Sequence, residues 1–281
     1  MAIGALEAND ATFDAIHYQN KLRALGHRRK RALFYEAMIA LCVLRRTQPS
    51  KTVRRLANLR EIRETRGEMA QFESFTTLIE DHLAPLQLTN HGYRRHTLAD
   101  LDHGPIWERV HAHISVLADL GYEVFLNSGT LLGVTRDKRL IDHDDDVDFA
   151  LILRARSPKG AAREWRDLRE KLRIAGIFDE ENYKGASIYK LTPVEGIQID
   201  LFPAWFENGR AFIYPHSFGD LAREDVLPLQ PCAVTGQPIP ANPEKMLVGN
   251  YGENWQTPDP LFKFPWRRAH QQFADFLEEF E

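Results

Sequence analysis

Asp144, Asp146 and Asp148 lead into an apolar run, Phe149, Ala150, Leu151, Ile152 and Leu153, with Asp145 and Val147 set between the acids. No other feature constrains the fold of this chain as much. The run reads as a buried strand, whose period of two puts the three acids on one face and Val147 and Phe149 on the other. Neighbouring carboxylates repel one another, a cost that divalent cations usually offset. A calcium loop is excluded by spacing: counted from Asp142, Val147 stands where such a loop needs glycine and Leu153 where it needs its bidentate glutamate. A solvated acidic loop does not explain the apolar residues that follow at once.

The residues just upstream point to the same chemistry. Leu120 to Leu126 ends a helix and supplies a short β-type run, after which Asn127, Ser128, Gly129 and Thr130 open a new helix through Leu131 and Leu132. Such a turn presents free backbone N–H groups at the positive end of a helix dipole and can hold a phosphate, although alone it is no more than a helix cap. Acids at the mouth of a buried strand after a phosphate-type turn make a metal–phosphate site the expected arrangement. Arg136 follows the turn and offers bidentate donors to a transferred group.

Two more β-type runs follow, 186–191 (ASIYKL) and 196–205 (GIQIDLFPAW). In the second, Ile197, Ile199 and Leu201 alternate with Gln198, Asp200 and Phe202, so Asp200 is a single acid within an apolar strand. A buried carboxylate needs a partner, and the expected one is a metal held by Asp146 and Asp148; a structural aspartate at a bulge is the alternative. Lys190, on the neighbouring strand, is either a phosphate contact or a surface lysine.

The stretch SGTLLGVTRDKRLIDHDDDVDFA resembles the signature of the LicD/fukutin-related family: a small-Gly-Thr-Leu-Leu-Gly turn, an arginine, and an acidic D-x-D-hydrophobic-D run. Asp200, in DLFP, matches the family's third acidic position. Further on, PCAVTGQPIPANPEKMLVGNYGENWQTPD resembles the family's C-terminal pattern, and two motifs in order about a hundred residues apart are far more specific than one. The resemblance covers about Gly104 to Pro258. His143 departs from it, standing where many members carry an aromatic residue.

The resemblance implies a nucleotidyltransferase fold and the transfer of a phosphorylated polyol or phosphocholine from a CDP-linked donor to a glycan hydroxyl, with release of CMP, in polysaccharide or glycoconjugate synthesis. Under it, Asp146, Asp148 and Asp200 are catalytic residues and ligands of Mg²⁺ or Mn²⁺, and Ser128, Gly129, Thr130, Arg136 and Lys190 bind substrate. Two other classes share these residues or this surface: transfer of the nucleotide itself with release of pyrophosphate, and a non-catalytic scaffold.

Charge divides the chain unevenly. Residues 1–70 carry 14 Lys and Arg against 7 Asp and Glu, a net of +7; with −4 for the whole chain, the remainder carries −11. The basic part includes HRRKR from His27 and KTVRRLANLREIRETR from Lys51, around an apolar run from Ala32 to Leu44 too short to span a bilayer. It reads as a helical arm or hairpin packed with solvated basic faces, with contact to a second subunit or an anionic membrane surface as the other expectation. Nucleic acid is not an expected partner, because Phe34 and Tyr35 sit inside the apolar run and do not interleave the charges. Cys42 and Cys232 lack metal or redox spacing, and Met1 to Asp14 lacks a signal-peptide pattern, so the expected location is cytoplasmic, peripheral at the inner membrane face at most.

The expected fold is therefore α+β, a nucleotidyltransferase-like mixed sheet flanked by helices over 96–281, preceded by a basic helical arm over 1–95. Helices are predicted over 71–86, over 106–120, over 161–175 after Ser157-Pro158, and from Asn242 to Tyr251, with a hairpin turn at Thr235-Gly236 between Ala233–Val234 and Pro238–Ile239, and one closing helix from Trp266 to Glu281 with Phe273, Phe276, Leu277 and Phe280 inward. His111 and His113, two apart on a helix, do not form a metal pair, and Tyr251 and Trp255 read as core aromatics or as a stacking surface.

Overall fold

A computed structural model describes residues 1–24, 31–90, 92–95, 98, 101–141, 144 and 146–281. His143, Asp145 and the basic run from His27 to Lys30 lie outside the described residues. Contacts divide the chain into two units, Met1–Thr97 with Asp259–Lys263, and Leu98–Pro258 with Phe264–Glu281.

The first unit is built around its most apolar helix. Helices α1 (Ala2–Glu7), α2 (Ala15–Ala24), α3 (Ala32–Leu44), α4 (Pro49–Thr65) and α5 (Met69–Leu83) are followed by the short strands β1 (Gln87–Leu88) and β2 (Tyr93–Arg94), paired antiparallel. The apolar run is α3, and Ile39, Ala40 and Val43 on it pack with Leu6 of α1, Leu56 and Leu59 of α4, and Phe72, Phe75 and Ile79 of α5. A helix apolar on nearly every side is one that its neighbours surround, so among the described residues the arm is an assembly of α1 to α5 around its own core and not a single hairpin. Glu36 of α3 is 5% exposed and is matched by Arg63 of α4. No described helix is long and apolar enough to cross a membrane.

The second unit contains α6 (His103–Asp119), β3 (Glu123–Leu126), α7 (Ser128–Arg136), β4 (Asp146–Ile152), α8 (Pro158–Ile174), β5 (Tyr189–Val194), β6 (Ile197–Glu207), β7 (Arg210–Ile213), β8 (Ser217–Ala222), α9 (Arg223–Val226), β9 (Gln230–Pro231), β10 (Pro238–Ile239), α10 (Pro243–Tyr251), α11 (Trp266–Gln272) and α12 (Ala274–Phe280). Its main sheet runs β3-β4-β6-β7-β8, with β5 also on β6. Among the described strands of this sheet, β4 and β6 pair parallel and the other neighbours pair antiparallel. The fold is the expected α+β class with a mixed sheet flanked by helices.

The length of β6 explains how one strand serves three neighbours. Gln198 to Ala204 pair with β4, while the other edge pairs first with β5 through Ile197 to Leu201 and then with β7 through Ala204 to Glu207. Register then sorts the faces. Tyr189 pairs with Leu201, and Trp205 lies four residues along β6, so both point to one side. There Trp165 of α8 stacks on Tyr189 at 4.3 Å, and Phe276 of α12 stacks on Trp205 at 5.3 Å. Asp200 and Asp148 are register partners one residue out of phase with that set, and therefore face the opposite side, toward α7.

Helix caps follow the sequence signals. Ser157 caps α8 by accepting from the Gly160 amide, with Pro158 in the first turn, and Asn242 caps α10 by accepting from the Lys245 amide. Two expectations change. The hairpin strand is Gln230–Pro231, earlier than Ala233–Val234, because Cys232 N–H donates to the Gln237 carbonyl and leaves 233–235 as the turn. The closing helix breaks at Phe273, whose ring is drawn into contact with Tyr214 at 5.3 Å and Phe218 at 5.0 Å. Phe276 and Phe280 face inward as expected, while Leu277 is only partly buried.

Candidate active site

Three carboxylates meet where β4 and β6 run side by side. Asp146 and Asp148 lie two residues apart on β4, and Asp200 is the direct parallel partner of Asp148. One oxygen from each lies within 4.8 Å of the others, with Asp146 8% and Asp148 6% exposed and Asp200 partly buried. The apolar residues alternating with them, Val147, Phe149, Ile199 and Leu201, anchor both strands in the core, and this holds the acids together despite their repulsion.

The N-terminus of α7 grips the central acid. Asn127 N–H donates to the Asp148 carbonyl at 3.0 Å, Gly129 N–H donates to Asp148 Oδ2 at 3.1 Å, and Asp148 N–H donates to Thr130 Oγ1 at 2.9 Å. Two of the groups expected to meet a phosphate thus engage Asp148. A Cβ at Gly129 would stand 2.6 Å from Asp144 Oδ2, so a side chain there would have to displace that carboxylate. At Gly133, one turn on, a Cβ would stand 2.6 Å from the Arg139 carbonyl and 2.9 Å from the Ile141 amide nitrogen.

Burial, reinforced by the charges of Asp146 and Asp200, raises the carboxyl of Asp148 well above the usual range, against the hydrogen bonds from Gly129 and Thr130 that lower it. Lys190 offsets part of this charge. It is the antiparallel register partner of Asp200, and its Nζ lies 2.9 Å and 3.2 Å from the two carboxylate oxygens. The lysine is therefore engaged with an acid of the site. Arg136, at the end of α7, forks onto Asp137 through Nε at 2.8 Å and Nη2 at 2.7 Å.

Oxygen-only donors, dense negative charge and partial burial fit a hard divalent cation of the Mg²⁺ or Mn²⁺ kind. A second sign of a site built for polar occupants is Asn127, fully buried, with neither amide atom hydrogen-bonded among the described residues. Native interiors rarely leave such a group unmatched.

Three residues near the acids were not read from the sequence as part of the site. Tyr251, at the end of α10, has its phenol held well above its usual pKa by burial and by the charges of Asp148, Asp144 and Asp146. His216, in the turn between β7 and β8, has its Nε2 3.2 Å from Ser128 Oγ. Asn250 is buried beside Tyr251 and accepts from Ser217 Oγ at 3.4 Å. Tyr251 carried an aromatic signal whose direction the sequence could not give; His216 and Asn250 carried none, because only the tertiary fold brings them to α7.

Residues 121–242 match the family described as LicD/FKTN/FKRP, nucleotidyltransferase domain. No curated protein matches the chain. Among solved structures, the crystal structure of ANT(2")-Ia in complex with adenylyl-2"-tobramycin is similar at 12% identity and a TM-score of 0.34, over 61% of this chain and 89% of that one. The solution structure of the antibiotic-resistance factor ANT(2'')-Ia is similar at 14% identity and a TM-score of 0.35, over 62% of this chain and 86% of that one. Likeness at this level carries no functional weight; the matched segment does, since it contains the α7 turn, the three acids and Lys190 together. Over residues 121–242 this chain is similar to the nucleotidyltransferase domain of the LicD/FKTN/FKRP family.

Proposed function

We propose that this chain is a metal-dependent transferase that moves a phosphorylated polyol or phosphocholine from a CDP-linked donor to a glycan hydroxyl, releasing CMP. The observation that supports it most is the meeting of Asp146, Asp148 and Asp200 within 4.8 Å on one face of the β4–β6 pair. The CDP donor and the glycan acceptor come from the family resemblance.

Asp146, Asp148 and Asp200 would hold the cation, which when bound supplies the positive charge that a diphosphate and three carboxylates need in one place. Asp200 is the acid closest to a base: it is less buried than the β4 pair, Lys190 fixes both its oxygens, and it accepts the proton of the acceptor hydroxyl. The acceptor oxygen forms a bond to the phosphorus nearer the transferred group, and the bond from that phosphorus to the bridging oxygen breaks, so that the electron pair leaves with CMP. Arg136 keeps one terminal nitrogen outside its fork on Asp137 and stabilises charge on the transferred phosphoryl group. No covalent intermediate is needed; the protein's part is positioning and charge neutralisation.

The test is a nucleotide-release assay over CDP-, UDP- and GDP-linked donors with candidate acceptors, each with Mg²⁺ and with EDTA. Metal-dependent CMP release from one CDP-linked compound is expected. The same assay with nucleoside triphosphates decides the alternative: metal-dependent pyrophosphate release from one of them, with no CMP release from any CDP-linked donor, would overturn the reading in favour of nucleotide transfer.

A further inference from the structure

Ser128, the first residue of α7, has φ 46°, a left-handed conformation that is strained for a non-glycine residue and persists only where the surroundings impose it. The backbone on either side is fixed by Asp148, through the amides of Asn127 and Gly129. The side chain is fixed by something else. Its Oγ is 3.2 Å from His216 Nε2, and His216 is seated between the rings of Phe202 at 5.6 Å and Phe264 at 4.9 Å. Ser217, the next residue, is tied through its Oγ to Asn250 of α10, which holds the turn that carries the imidazole.

The protonation of this imidazole decides what Ser128 can do. Burial pushes its pKa down to about 3, so the ring is neutral at physiological pH and carries a single N–H. Its Nδ1 is shut off from solvent and has no hydrogen-bond partner among the described residues. With the proton on Nδ1, a buried N–H would be orphaned, and Nε2 could only accept the Ser128 O–H, consuming that donor. With the proton on Nε2, the orphan is an acceptor lone pair, the less costly kind, and Nε2–H donates to Oγ. Ser128 then keeps its hydroxyl proton for another acceptor, one residue from the amide that grips Asp148.

We propose that His216 is a positioning residue, whose Nε2–H holds Ser128 Oγ so that the Ser128 hydroxyl donates to a phosphate oxygen of the substrate bound at the acid cluster. This rests on the metal–phosphate reading of the site and adds a residue from outside its motifs. It also accounts for a serine in a conformation better suited to glycine: glycine would relax the backbone and lose the donor.

The test uses the full chain and Mg²⁺-pyrophosphate as a probe independent of nucleotide, with affinity read by calorimetry. Ser128→Ala should weaken binding about tenfold, as for a lost hydrogen bond to a charged acceptor. His216→Phe, which keeps a ring between Phe202 and Phe264, should weaken it to a similar degree, and His216→Gln, which restores a side-chain N–H, should recover most of the loss. The double variant Ser128→Ala/His216→Phe should bind no more weakly than Ser128→Ala, with affinity for Mg²⁺ alone unchanged throughout. Wild-type affinity in His216→Phe, or losses that multiply in the double variant, would overturn the assignment while the site reading stands. No binding of the probe by the wild type would overturn both. Imidazole ¹⁵N NMR of the wild-type protein tests the same point without a variant: the Nε2–H tautomer is expected, and Nδ1–H would refute the proposal.

Discussion

Each unit of the chain buries acids, and it treats them in opposite ways. Glu36 in the helical unit is 5% exposed and is met by Arg63, which also reaches Glu68 at 2.6 Å. The guanidinium is held in its charged form chiefly by its hydrogen bond with Glu36. In the second unit Asp146, Asp148 and Asp200 crowd together within reach of one cation, and Lys190 pairs with Asp200. A buried acid with its own arginine is a packing solution. Acids that repel one another on two adjoining interior strands are a binding solution held in advance of its ligand.

If that contrast is right, the largest effect comes from the central acid. Asp148→Asn should lower turnover about 10³-fold, the scale of losing a charge-stabilising group in an active site, while leaving the fold intact by circular dichroism. Near-wild-type turnover in the folded variant would remove Asp148 from the site. Next, Arg63→Met should cost the helical unit about 3 kcal/mol in denaturant unfolding, because Glu36 is left buried and unpaired. The same loss restored by the double change Arg63→Met/Glu36→Leu would confirm that the pair is structural.

Gly133→Ala breaks the site from behind, without touching a charge. The methyl must push against the backbone of Arg139 and Ile141, so a loss of about 2 kcal/mol is expected in thermal unfolding. The smallest effect is expected at His113, a half-buried titratable group whose Nε2 is 2.8 Å from Thr192 Oγ1 and whose pKa is lowered, mainly by desolvation. The unfolded chain takes up this proton before the folded protein does, so the contribution of His113 is complete above the usual histidine range and is lost as pH falls through it. His113→Gln should flatten that part of the stability profile; an unchanged slope would show that the histidine is not its source.

How far the sequence reached follows from the range of each signal. The α7 turn, the β4 acids and the caps at Ser157 and Asn242 are written in stretches of a few residues, where capping and period-two patterning act, and the structure has them where expected. Asp200 was legible because an acid breaks an apolar alternation. Its alignment with Asp148 was not, since parallel register across β4 and β6 depends on the intervening fold. His216 lies 88 residues from Ser128, in a turn whose sequence looks like any other. The joining of 259–263 to the helical unit, through Arg60 with Asp259 and Lys263 with Asn58, was hidden for the same reason.

The most direct test of the central claim needs no substrate. Wild type and Asp148→Asn are melted after EDTA treatment and again with Mg²⁺ in excess. Mg²⁺ bound only by the folded state should stabilise the wild type, by about 2.7 kcal/mol at a hundred times its dissociation constant. The variant, relieved of a buried repulsive charge, should begin higher in EDTA and gain little from Mg²⁺. Equal gains in the two proteins, or none in the wild type, would contradict the reading of these three acids as a cation site.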